Sequence, residues 1–577
     1  MVVARWRLVL LPVLLVVPVL AHAATLTVDI RGLDDGAKKN VQAKLDLGAL
    51  KKNGLTEAEI RQFHTDAERD IQLALQPYGF YRPLVTSHLD HNGTHWHARY
   101  DVDPGPPLKI DTVTVQVLGD GADDAGFERI VARLPVKKGA VLNEPAYEAA
   151  KHQFETMALK GGYLDARWTE HQIRIDLARY TAGVSLVYDT GIAYQFGPVE
   201  FRQDVVDPGL LQGYVTFKAG DSLDYNKLLG MEQALGNSPY FSRVEVRPDR
   251  EHANGRQLPI VVDLVPAKPG KYTFGAGYGT DNGPHVKTVV ELRRLNRRGH
   301  RAEVEGTLSG IEQSGALRYQ IPWPYPRTDL LTLQTGYAQQ QINGSNERTL
   351  HVGGDLARLW AGWQYAYGLE FRRQNFTIGL DNGIGHFLVP QGTWSRLMTD
   401  DPVNPRDGAR LVMHLEGAER SVLSSATYVR ADVHGRWLRT LANHHQVVAR
   451  AEAGWLTTDA FHSLPPSARF FAGGASSVRG FGYNELGPRD AAGFVTGGEV
   501  LEAASLEYGF RFTKQWGAAV FYDIGNAMNS FGGPLEAGAG PGIRWISPVG
   551  LVRLDLGVPL TRSTHRPTVH ISIGPAL

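Results

Sequence analysis

In the second half of the chain, short segments alternate between apolar and polar residues with a period of two. In LVRLDLGV, for example, Val552, Leu554 and Leu556 fall on one face, whereas Arg553 and Asp555 fall on the other. This period is that of β-strands whose two faces meet different surroundings. Sixteen segments leave about 19 residues for each strand with its connection, which suits strands of ~9–11 residues. The segments are KYTFGAG, HVKTVVE, RAEVEGT, GALRYQI, LLTLQTG, LHVGGDL, WQYAYGL, HFLVPQG, ARLVMHL, TYVRADV, QVVARAE, LEAASLE, GAAVFYD, EAGAGPG, LVRLDLG and TVHISIG.

The same alternation fits two kinds of β-protein. A membrane barrel places its apolar face in lipid and its charged face in a wet lumen, whereas a soluble sandwich buries the apolar face and exposes the charges. The even number of segments and the aromatic residues near segment ends favour the barrel. These aromatic residues are Trp323, Tyr325, Trp363, Trp394, Trp455, Trp516 and Trp545. The sequence therefore predicts an antiparallel, sixteen-stranded transmembrane β-barrel over residues 269–577.

The first half of the chain repeats a mixed helix and strand pattern about every 80 residues. The stretches QPYGFYRPL, KGGYLDARW and NSPYFSRVE each follow a helical run and lead into an alternating strand. Gly139 and Gly220 stand at equivalent points, each ahead of a helix start with Asn143 or Asp224 as N-cap. A unit of strand, two helices and two more strands is too long for a solenoid repeat and indicates a small α+β domain. The three copies span residues 24–106, 107–190 and 191–268.

The N-terminal pattern predicts export from the cytoplasm. Residues 1–23 have basic residues, then an apolar run, then Ala21-His22-Ala23, which is the pattern of a cleaved secretory signal peptide. The apolar run is shorter than the ~20 residues of a membrane-spanning helix, so we prefer cleavage to a signal anchor. The chain has no cysteine and a formal net charge of zero. Disulfides therefore cannot stabilise the exported fold, and the chain has no net positive charge that would attract nucleic acid.

No sequence pattern favours catalysis. GTLSG, at residues 306–310, has the wrong spacing for the G-x-S-x-G nucleophile elbow, and no helical pattern follows GAGPG at residues 538–542. The histidine-rich stretch SHLDHNGTHWHARY admits a zinc interpretation, but a hairpin turn at Asn92-Gly93 with solvated side chains explains the same residues. We expect no enzyme activity, no cofactor and no metal.

One long segment, residues 458–496, interrupts the strand pattern between segments eleven and twelve. It contains GGASSVRGFGYNELGP, in which Arg479 stands among small and aromatic residues. By the alternation, Glu507 faces inward on segment twelve, and Phe521 and Asp523 face inward on segment thirteen. A loop folded into the lumen would bring Arg479 to two carboxylates and one ring, and a planar guanidinium suits both kinds of partner.

These motifs resemble those of the outer-membrane protein assembly factor superfamily. VRGF matches the signature of its sixth loop, and YQIPWPYPRTD, DPVNPRDGARL, SLEY and FYDIG match further along the barrel. The repeated units resemble its periplasmic POTRA domains. The resemblance implies α+β tandem POTRA domains followed by an all-β, 16-stranded barrel in the bacterial outer membrane. It also implies a latch between loop and lumen, made of Val478, Arg479, Gly480, Phe481, Glu507, Phe521, Asp523 and Gly525.

The two end segments of the barrel predict a weak join between first and last strands. Segment one, continued as KYTFGAGYGT to Thr280, carries Gly275, Gly277 and Gly279, and segment sixteen ends at Gly574 and is followed by Pro575. Proline cannot donate a ladder hydrogen bond, and unpaired backbone groups in lipid cost several kcal/mol each. A weak join can open sideways and template a client strand, and the resemblance implies such a lateral gate. The alternative is that barrel strands simply tolerate glycine.

The number of POTRA copies narrows the functional expectation. Three copies and this length most resemble the translocation and assembly module subunit, since the general barrel-assembly subunit has five copies and two-partner secretion pores have two. The resemblance implies an inner-membrane-anchored, TamB-like partner that spans the periplasm. It also implies unfolded outer-membrane protein clients such as autotransporters, contact with outer-membrane lipid, and POTRA sheet edges that bind peptides or serve as spacers. An export pore and a conduit in lipid transport are the alternatives.

Overall fold

A computed structural model describes residues 24–50, 54–401, 405–442, 444–547, 550–563 and 565–574. The expected signal peptide (residues 1–23) and Pro575 lie outside these ranges. The described chain divides into two compact units. One holds the first two N-terminal domains and part of the third, and the other holds the rest of the third domain and a large β-sheet.

The N-terminal half forms three α+β domains, each with a three-stranded sheet. The first contains β1 (Thr25–Arg31), α1 (Asp35–Lys44), α2 (Leu47–Leu50), α3 (Glu57–Leu75), β2 (Leu84–Asn92) and β3 (His95–Asp103). The second contains β4 (Lys109–Leu118), α4 (Ala125–Arg133), α5 (Glu144–Lys160), β5 (Arg167–Asp176) and β6 (Thr181–Asp189). The third contains β7 (Gln195–Arg202), α6 (Pro208–Gln212), α7 (Tyr225–Gly236), β8 (Phe241–Pro248) and β9 (Gln257–Pro266).

The three sheets share one topology, with the last strand of each domain in the centre. Their strand orders are β1-β3-β2, β4-β6-β5 and β7-β9-β8. In the first two sheets, the first strand runs parallel to the central strand and the hairpin partner runs antiparallel to it. The prediction of three tandem α+β domains of the POTRA kind is therefore confirmed.

Helix α3 illustrates how local sequence builds these domains. The Thr56 side chain accepts the backbone N–H of Glu59, and the Glu59 carboxylate accepts that of Thr56, which forms a capping box. The backbone N–H and the hydroxyl of Thr56 both donate to the Glu59 carboxylate, and these two bonds lower the pKa of that carboxyl. Ile60, Ala67 and Ile71 recur at helical spacing, so that one buried face of the helix covers the sheet.

The repeated motif at the helix-to-strand junction joins each of the first two domains to the next one. In the first copy, the carbonyl of Gly79 accepts the backbone N–H of Leu108 at 2.8 Å. In the second copy, the carbonyl of Gly162 accepts the N–H of Tyr194 at 3.1 Å. Both glycines have positive φ, and an added Cβ at either would lie 2.7 Å from a backbone oxygen of the following domain. The repeated motif therefore contributes to the contact between consecutive domains as well as to the fold of each domain.

The C-terminal half forms a sixteen-stranded antiparallel sheet in which each strand pairs with its neighbours in sequence. Its first eight strands are β10 (Gly270–Gly279), β11 (Gly283–Leu292), β12 (Arg301–Ser309), β13 (Glu312–Ile321), β14 (Asp329–Ile342), β15 (Ser345–Trp360), β16 (Trp363–Ile378) and β17 (Asp381–Thr399). The other eight are β18 (Asp407–Ala418), β19 (Tyr428–Leu441), β20 (His445–Thr458), β21 (Val500–Arg511), β22 (Trp516–Met528), β23 (Glu536–Ser547), β24 (Gly550–Pro559) and β25 (Thr568–Gly574).

Each strand contains one of the sixteen segments counted in the sequence, in the same order. The sheet closes almost completely into a barrel, which confirms the predicted architecture. Its faces also follow the alternation: Leu506, Val520 and Leu554 are exposed on the outside, whereas Asp523 and Asp555 are buried inside. In the described part of the chain, no helix is both long enough and apolar enough to cross a bilayer.

The third domain contacts the turn between β11 and β12, at the barrel end from which β10 starts. The Tyr240 hydroxyl donates to the carbonyl of Gly299 at 2.7 Å. Arg297 donates through Nε to Asp207 Oδ1 at 3.2 Å, and its backbone carbonyl accepts the N–H of Asp207. These bonds hold the base of the barrel to the segment around α6.

Candidate functional site

The long connection between β20 and β21, residues 459–499, folds into the barrel; we call it the inner loop. Its apolar side chains Val478, Phe481 and Leu486 are buried in one cluster with barrel residues such as Phe387 and Leu501. Val478 is 0% and Phe481 is 1% exposed. Burial of this apolar surface stabilises the loop inside the lumen.

Arg479 lies at the centre of the inner loop and is 3% exposed. Its Nε and Nη2 donate to the two carboxylate oxygens of Asp523 at 2.7 and 2.9 Å. Its Nη1 donates to Glu507 Oε2 at 2.7 Å and to Asp555 Oδ2 at 3.2 Å. The guanidinium carbon also stands 3.5 Å from the ring centre of Phe521. One planar cation thus makes a bidentate pair, two further ion pairs and a cation–π contact.

A second arginine completes the charge balance around this contact. Arg544 on β23 donates to both oxygens of Glu507, at 2.9 and 2.7 Å, and to Asp555 Oδ1 at 2.7 Å. Ser505 on β21 donates to Asp523 Oδ1 at 2.6 Å. The carboxylates therefore have partners on both sides, as buried charges require.

Glycines in the barrel wall let the inner loop approach the backbone of β23 and β24. A Cβ added at Gly538 would collide with the carbonyl oxygen of Arg479, and one at Gly557 would collide with the N–H of Gly480. Gly480 itself has a φ of +99°, and a Cβ added to it would lie 3.0 Å from the backbone nitrogen of Pro559. The first glycine of the stretch GAGPG is therefore explained by close packing against the inner loop rather than by nucleotide binding.

The predicted latch residues do not all meet. Arg479, Glu507, Phe521 and Asp523 are in direct contact. Val478 and Phe481 pack beside them in the buried cluster. Gly525 follows Asp523 by two residues on β22, and the atoms nearest to its added Cβ are Glu502 O, at 2.6 Å, and Ala503 on the neighbouring strand rather than atoms of the inner loop.

Sequence reasoning missed Asp555, Arg544 and Ser505. Their inward facing could be inferred from the alternation, and Asp555 was placed on the polar face of its strand. The position of these side chains along the barrel axis could not be inferred, because it depends on the register of β21 to β24.

The first and last strands meet at a junction, which we call the seam. The ladder of paired strands runs from β10 to β25 without joining its two ends. Among the described residues, two hydrogen bonds link them: Thr280 N–H to Ile571 O, and Ile571 N–H to Thr280 Oγ1, both at 3.2 Å. By contrast, β10 and β11 are paired along ten residues. Most backbone groups on the free edges of β10 and β25 therefore lack a ladder partner.

The predicted gate glycines lie along this edge and its neighbours. Gly275, Gly277 and Gly279 are in β10. A Cβ added at Gly279 would lie 3.6 Å from the carbonyl oxygen of Ile571 on β25. Gly574 is the last residue of β25 and is opposite Leu551 of β24. Pro575 lies outside the described residues.

The inner loop contacts both sides of the seam from within. On the β10 side, the N–H of Ala475 donates to the carboxylate of Asp281 at 3.0 Å. On the β25 side, the N–H of Gly480 donates to His570 Nε2 at 2.9 Å, and Thr568 Oγ1 donates to the carbonyl of Gly480 at 3.1 Å. The loop that carries Arg479 thus also spans the join between the end strands.

Together, the barrel, the three preceding α+β domains and the in-folded VRGF loop define an outer-membrane barrel of the POTRA-bearing class. A family model described as "Omp85 superfamily domain" matches residues 295–575, and one described as "POTRA domain TamA domain 1" matches residues 27–104. Residues 295–575 form an Omp85 superfamily domain, and members of that superfamily are non-enzymatic assembly factors. The barrel lies in the outer membrane and the POTRA domains lie in the periplasm.

Two known proteins illustrate the similarity. The outer membrane protein assembly factor BamA of Nitratidesulfovibrio vulgaris is 23% identical over 368 residues, which are 59% of this chain and 45% of the relative. The chain thus aligns with less than half of that relative's length. The crystal structure of BamA from Haemophilus ducreyi lacking POTRA domains 1–3 has a TM-score of 0.66 at 16% identity. That similarity covers 81% of this chain and 99% of the other, and it shows a shared fold.

Proposed function

We propose that this protein is an insertase that assembles client β-barrel proteins, such as autotransporters, into the outer membrane. Clients would enter through the seam, which acts as a lateral gate. A TamB-like partner, anchored in the inner membrane, would deliver them across the periplasm. Membership of a superfamily of assembly factors and the TamA-type POTRA domain support this assignment.

The observation that carries the proposal is the unpaired edge of β10. Unpaired N–H and C=O groups at the level of the membrane can pair with another strand, which is β-augmentation. The outward side chains of β10, such as Phe274 and Tyr278, are exposed beside this edge. A client hairpin that pairs with β10 would satisfy both chains while leaving β11 to β24 undisturbed.

The inner loop is proposed to act as a latch that keeps the barrel rigid while the seam opens. Its ion pairs join the loop to β21, β22 and β24. Those strands lie on the β25 side of the barrel, so the latch fixes that side when β10 moves. The inner loop packs in the lumen, and together with the POTRA domains it favours an insertase over a passive porin.

Site-specific photocrosslinking tests the gate. A benzoylphenylalanine at Phe274 on β10 is expected to crosslink to an autotransporter barrel during its insertion by the full chain. The matched control is Tyr337, an exposed outward residue of β14, which is paired on both sides. Equal yields at both positions, or none at Phe274 while insertion proceeds, would contradict the proposal.

A further inference from the structure

A cavity of about 720 Å³ lies at the periplasmic end of the barrel, and the described residues that line it include none of the contacts of Arg479. Its walls include α7 with the chain that follows this helix, the start of β12, and the turns β13–β14 and β15–β16. All of the lining residues belong to the compact unit that contains the barrel. The volume falls within the ~300–1,000 Å³ typical of ligand pockets, so the cavity can hold a small ligand.

Two arginines that line this cavity have no partner for their charge. In the described part of the chain, the side chains of Arg301 and Arg327 make no hydrogen bond or ion pair, and the Nε of Arg301 is buried. Asp329 is the one acidic residue among the described lining residues. Its carboxylate already accepts Nη2 of Arg358 at 2.6 Å and the hydroxyl of Thr328 at 2.8 Å. The cavity therefore carries an excess of positive charge.

Two tyrosines beside Arg301 stay neutral and cannot balance its charge. Burial raises the pKa of the hydroxyls of Tyr214 and Tyr240, and the nearby charge of Arg301 offsets only part of this effect. The Tyr240 hydroxyl donates to the carbonyl of Gly299 at 2.7 Å, and the Tyr214 hydroxyl donates to that of Pro326 at 3.5 Å. Because both hydroxyls keep their protons, the guanidinium of Arg301 remains unbalanced.

Amide side chains add hydrogen-bonding capacity to the same cavity. Gln233 lies on α7 and Asn237 follows the end of that helix. Both line the cavity, and neither amide makes a side-chain hydrogen bond within the described part of the chain. A neutral or cationic ligand would leave the two arginines unbalanced, so the lining favours an anion with several acceptor oxygens.

The cavity lies beside aromatic residues that mark the edge of the membrane. Trp323 and Tyr325, in the turn between β13 and β14, are 56% and 63% exposed. The neighbouring residues Pro322 and Pro326 line the cavity. Aromatic residues at the ends of barrel strands lie at the level of the lipid head groups. The phosphates of the periplasmic leaflet therefore lie at the level of this cavity.

We infer that this cavity binds a phosphate group through Arg301 and Arg327. A guanidinium fork matches phosphate oxygens in a bidentate manner. The amides of Gln233 and Asn237 would donate to the remaining oxygens. The phosphate is either the head group of a lipid in the periplasmic leaflet or a free anion from the periplasm. A bound lipid would be held at the base of the barrel, which is a role separate from the lateral gate.

Calorimetric titration of the full chain in a non-ionic detergent tests the inference. The probes are dihexanoyl phosphatidylglycerol and inorganic phosphate. Dihexanoylglycerol is the neutral control, and a short peptide with a free C-terminal carboxylate is the control for a client segment. We expect saturable binding of at least one phosphate probe and of neither control. Tighter binding of the lipid identifies a head group as the source, whereas equal or tighter binding of inorganic phosphate identifies the free anion.

The variant Arg301→Gln is expected to weaken this binding at least about tenfold, because it removes the unpaired charge and its fork. Arg327→Gln, at an exposed position, is expected to weaken it at least about threefold and carries the test if Arg301→Gln does not fold. Heat-modifiable gel migration shows whether each variant has folded. The matched control is Arg298→Gln, which removes an exposed positive charge from the turn β11–β12 at the same barrel end, outside the cavity. It is expected to change the affinity less than about twofold, because charges in water are screened.

Three results would overturn the inference. The first is that neither phosphate probe binds, or that the peptide binds as tightly as they do. The second is that Arg327→Gln binds the phosphate probes as tightly as the unmodified chain does. The third is that Arg298→Gln weakens binding as strongly as the cavity variants do, since the attraction would then belong to the basic surface in general.

Discussion

At the scale of single residues, Arg479 makes ion pairs and a cation–π contact that join the inner loop to the barrel wall. Lysine could satisfy one carboxylate as a point charge, but it could not meet Asp523 bidentately and lie on the Phe521 ring as well. Three carboxylates surround this one side chain. Their burial makes the guanidinium costly to remove, since a buried charge without its partner is strongly unfavourable.

Arg479→Ala is expected to destabilise the folded barrel by about 3–5 kcal/mol, the usual cost of breaking a buried ion pair. Arg479→Lys should fall between that variant and the unmodified chain. The measurement is the temperature at which the compact band is lost on heat-modifiable gel migration. Combining Arg479→Ala with Asp523→Asn should recover part of the loss, because fewer unpaired charges then remain.

The exposed Arg348→Ala serves as the control for this series and should migrate as the unmodified chain does. An Arg479→Ala barrel with unchanged thermal stability would contradict the role assigned to the latch.

The alternation gives the inward facing of Glu507, Phe521 and Asp523. The long insert with its VRGF motif, together with the resemblance, predicts that Arg479 reaches these side chains. The alternation was not enough for Asp555 or Arg544, whose contacts depend on how far neighbouring strands are shifted along each other. For Gly525, the nearest atoms to an added Cβ belong to β21, and its place in the latch stays a prediction.

At the scale of elements, the inner loop depends on how close β23 and β24 allow it to come. The backbone of Gly480 approaches Gly557 so closely that no side chain fits between them. Glycine in a strand weakens the strand itself, so its presence here indicates that contact with the loop outweighs that cost.

Gly557→Ala is expected to displace the inner loop and to destabilise the barrel by about 1–3 kcal/mol, the usual cost of overpacking. Amide hydrogen exchange at Gly480 should become faster, since its bond to His570 would be lost. The matched control is Gly435→Ala on β19, whose added Cβ would lie 3.8 Å from Ala451 O, an ordinary contact distance. Equal exchange at Gly480 in both variants would show that the close approach does not position the loop.

The lengths of the strands were harder to predict than their number. The sixteen alternating segments indicated each strand, but β17 extends to 19 residues and β25 to only 7. These differences arise at strand ends, where turns and the inner loop decide whether pairing continues. The seam could be suspected from Gly275, Gly277 and Gly279, but the remaining bonds at Thr280 and Ile571 depend on barrel closure.

At the scale of the whole molecule, the protein combines a wall that is paired almost everywhere with one join that is not. Fifteen neighbouring strand pairs satisfy the backbone in lipid, and the inner loop contacts both sides of the remaining junction. We therefore propose that the seam opens while the latch holds the rest of the barrel.

A disulfide across the seam tests this claim most directly. The chain has no cysteine, so Thr280→Cys with Ile571→Cys introduces the only thiol pair, at a point where the two backbones already bond. The control pair, Ala276→Cys with Val286→Cys, joins β10 to β11, which are already paired. Insertion of an autotransporter barrel into liposomes that contain the oxidised proteins is the measurement. We expect the seam disulfide to lower insertion at least about tenfold, with recovery on reduction, and the control disulfide to leave insertion unchanged. Unchanged insertion with the seam disulfide fully formed would contradict this proposal.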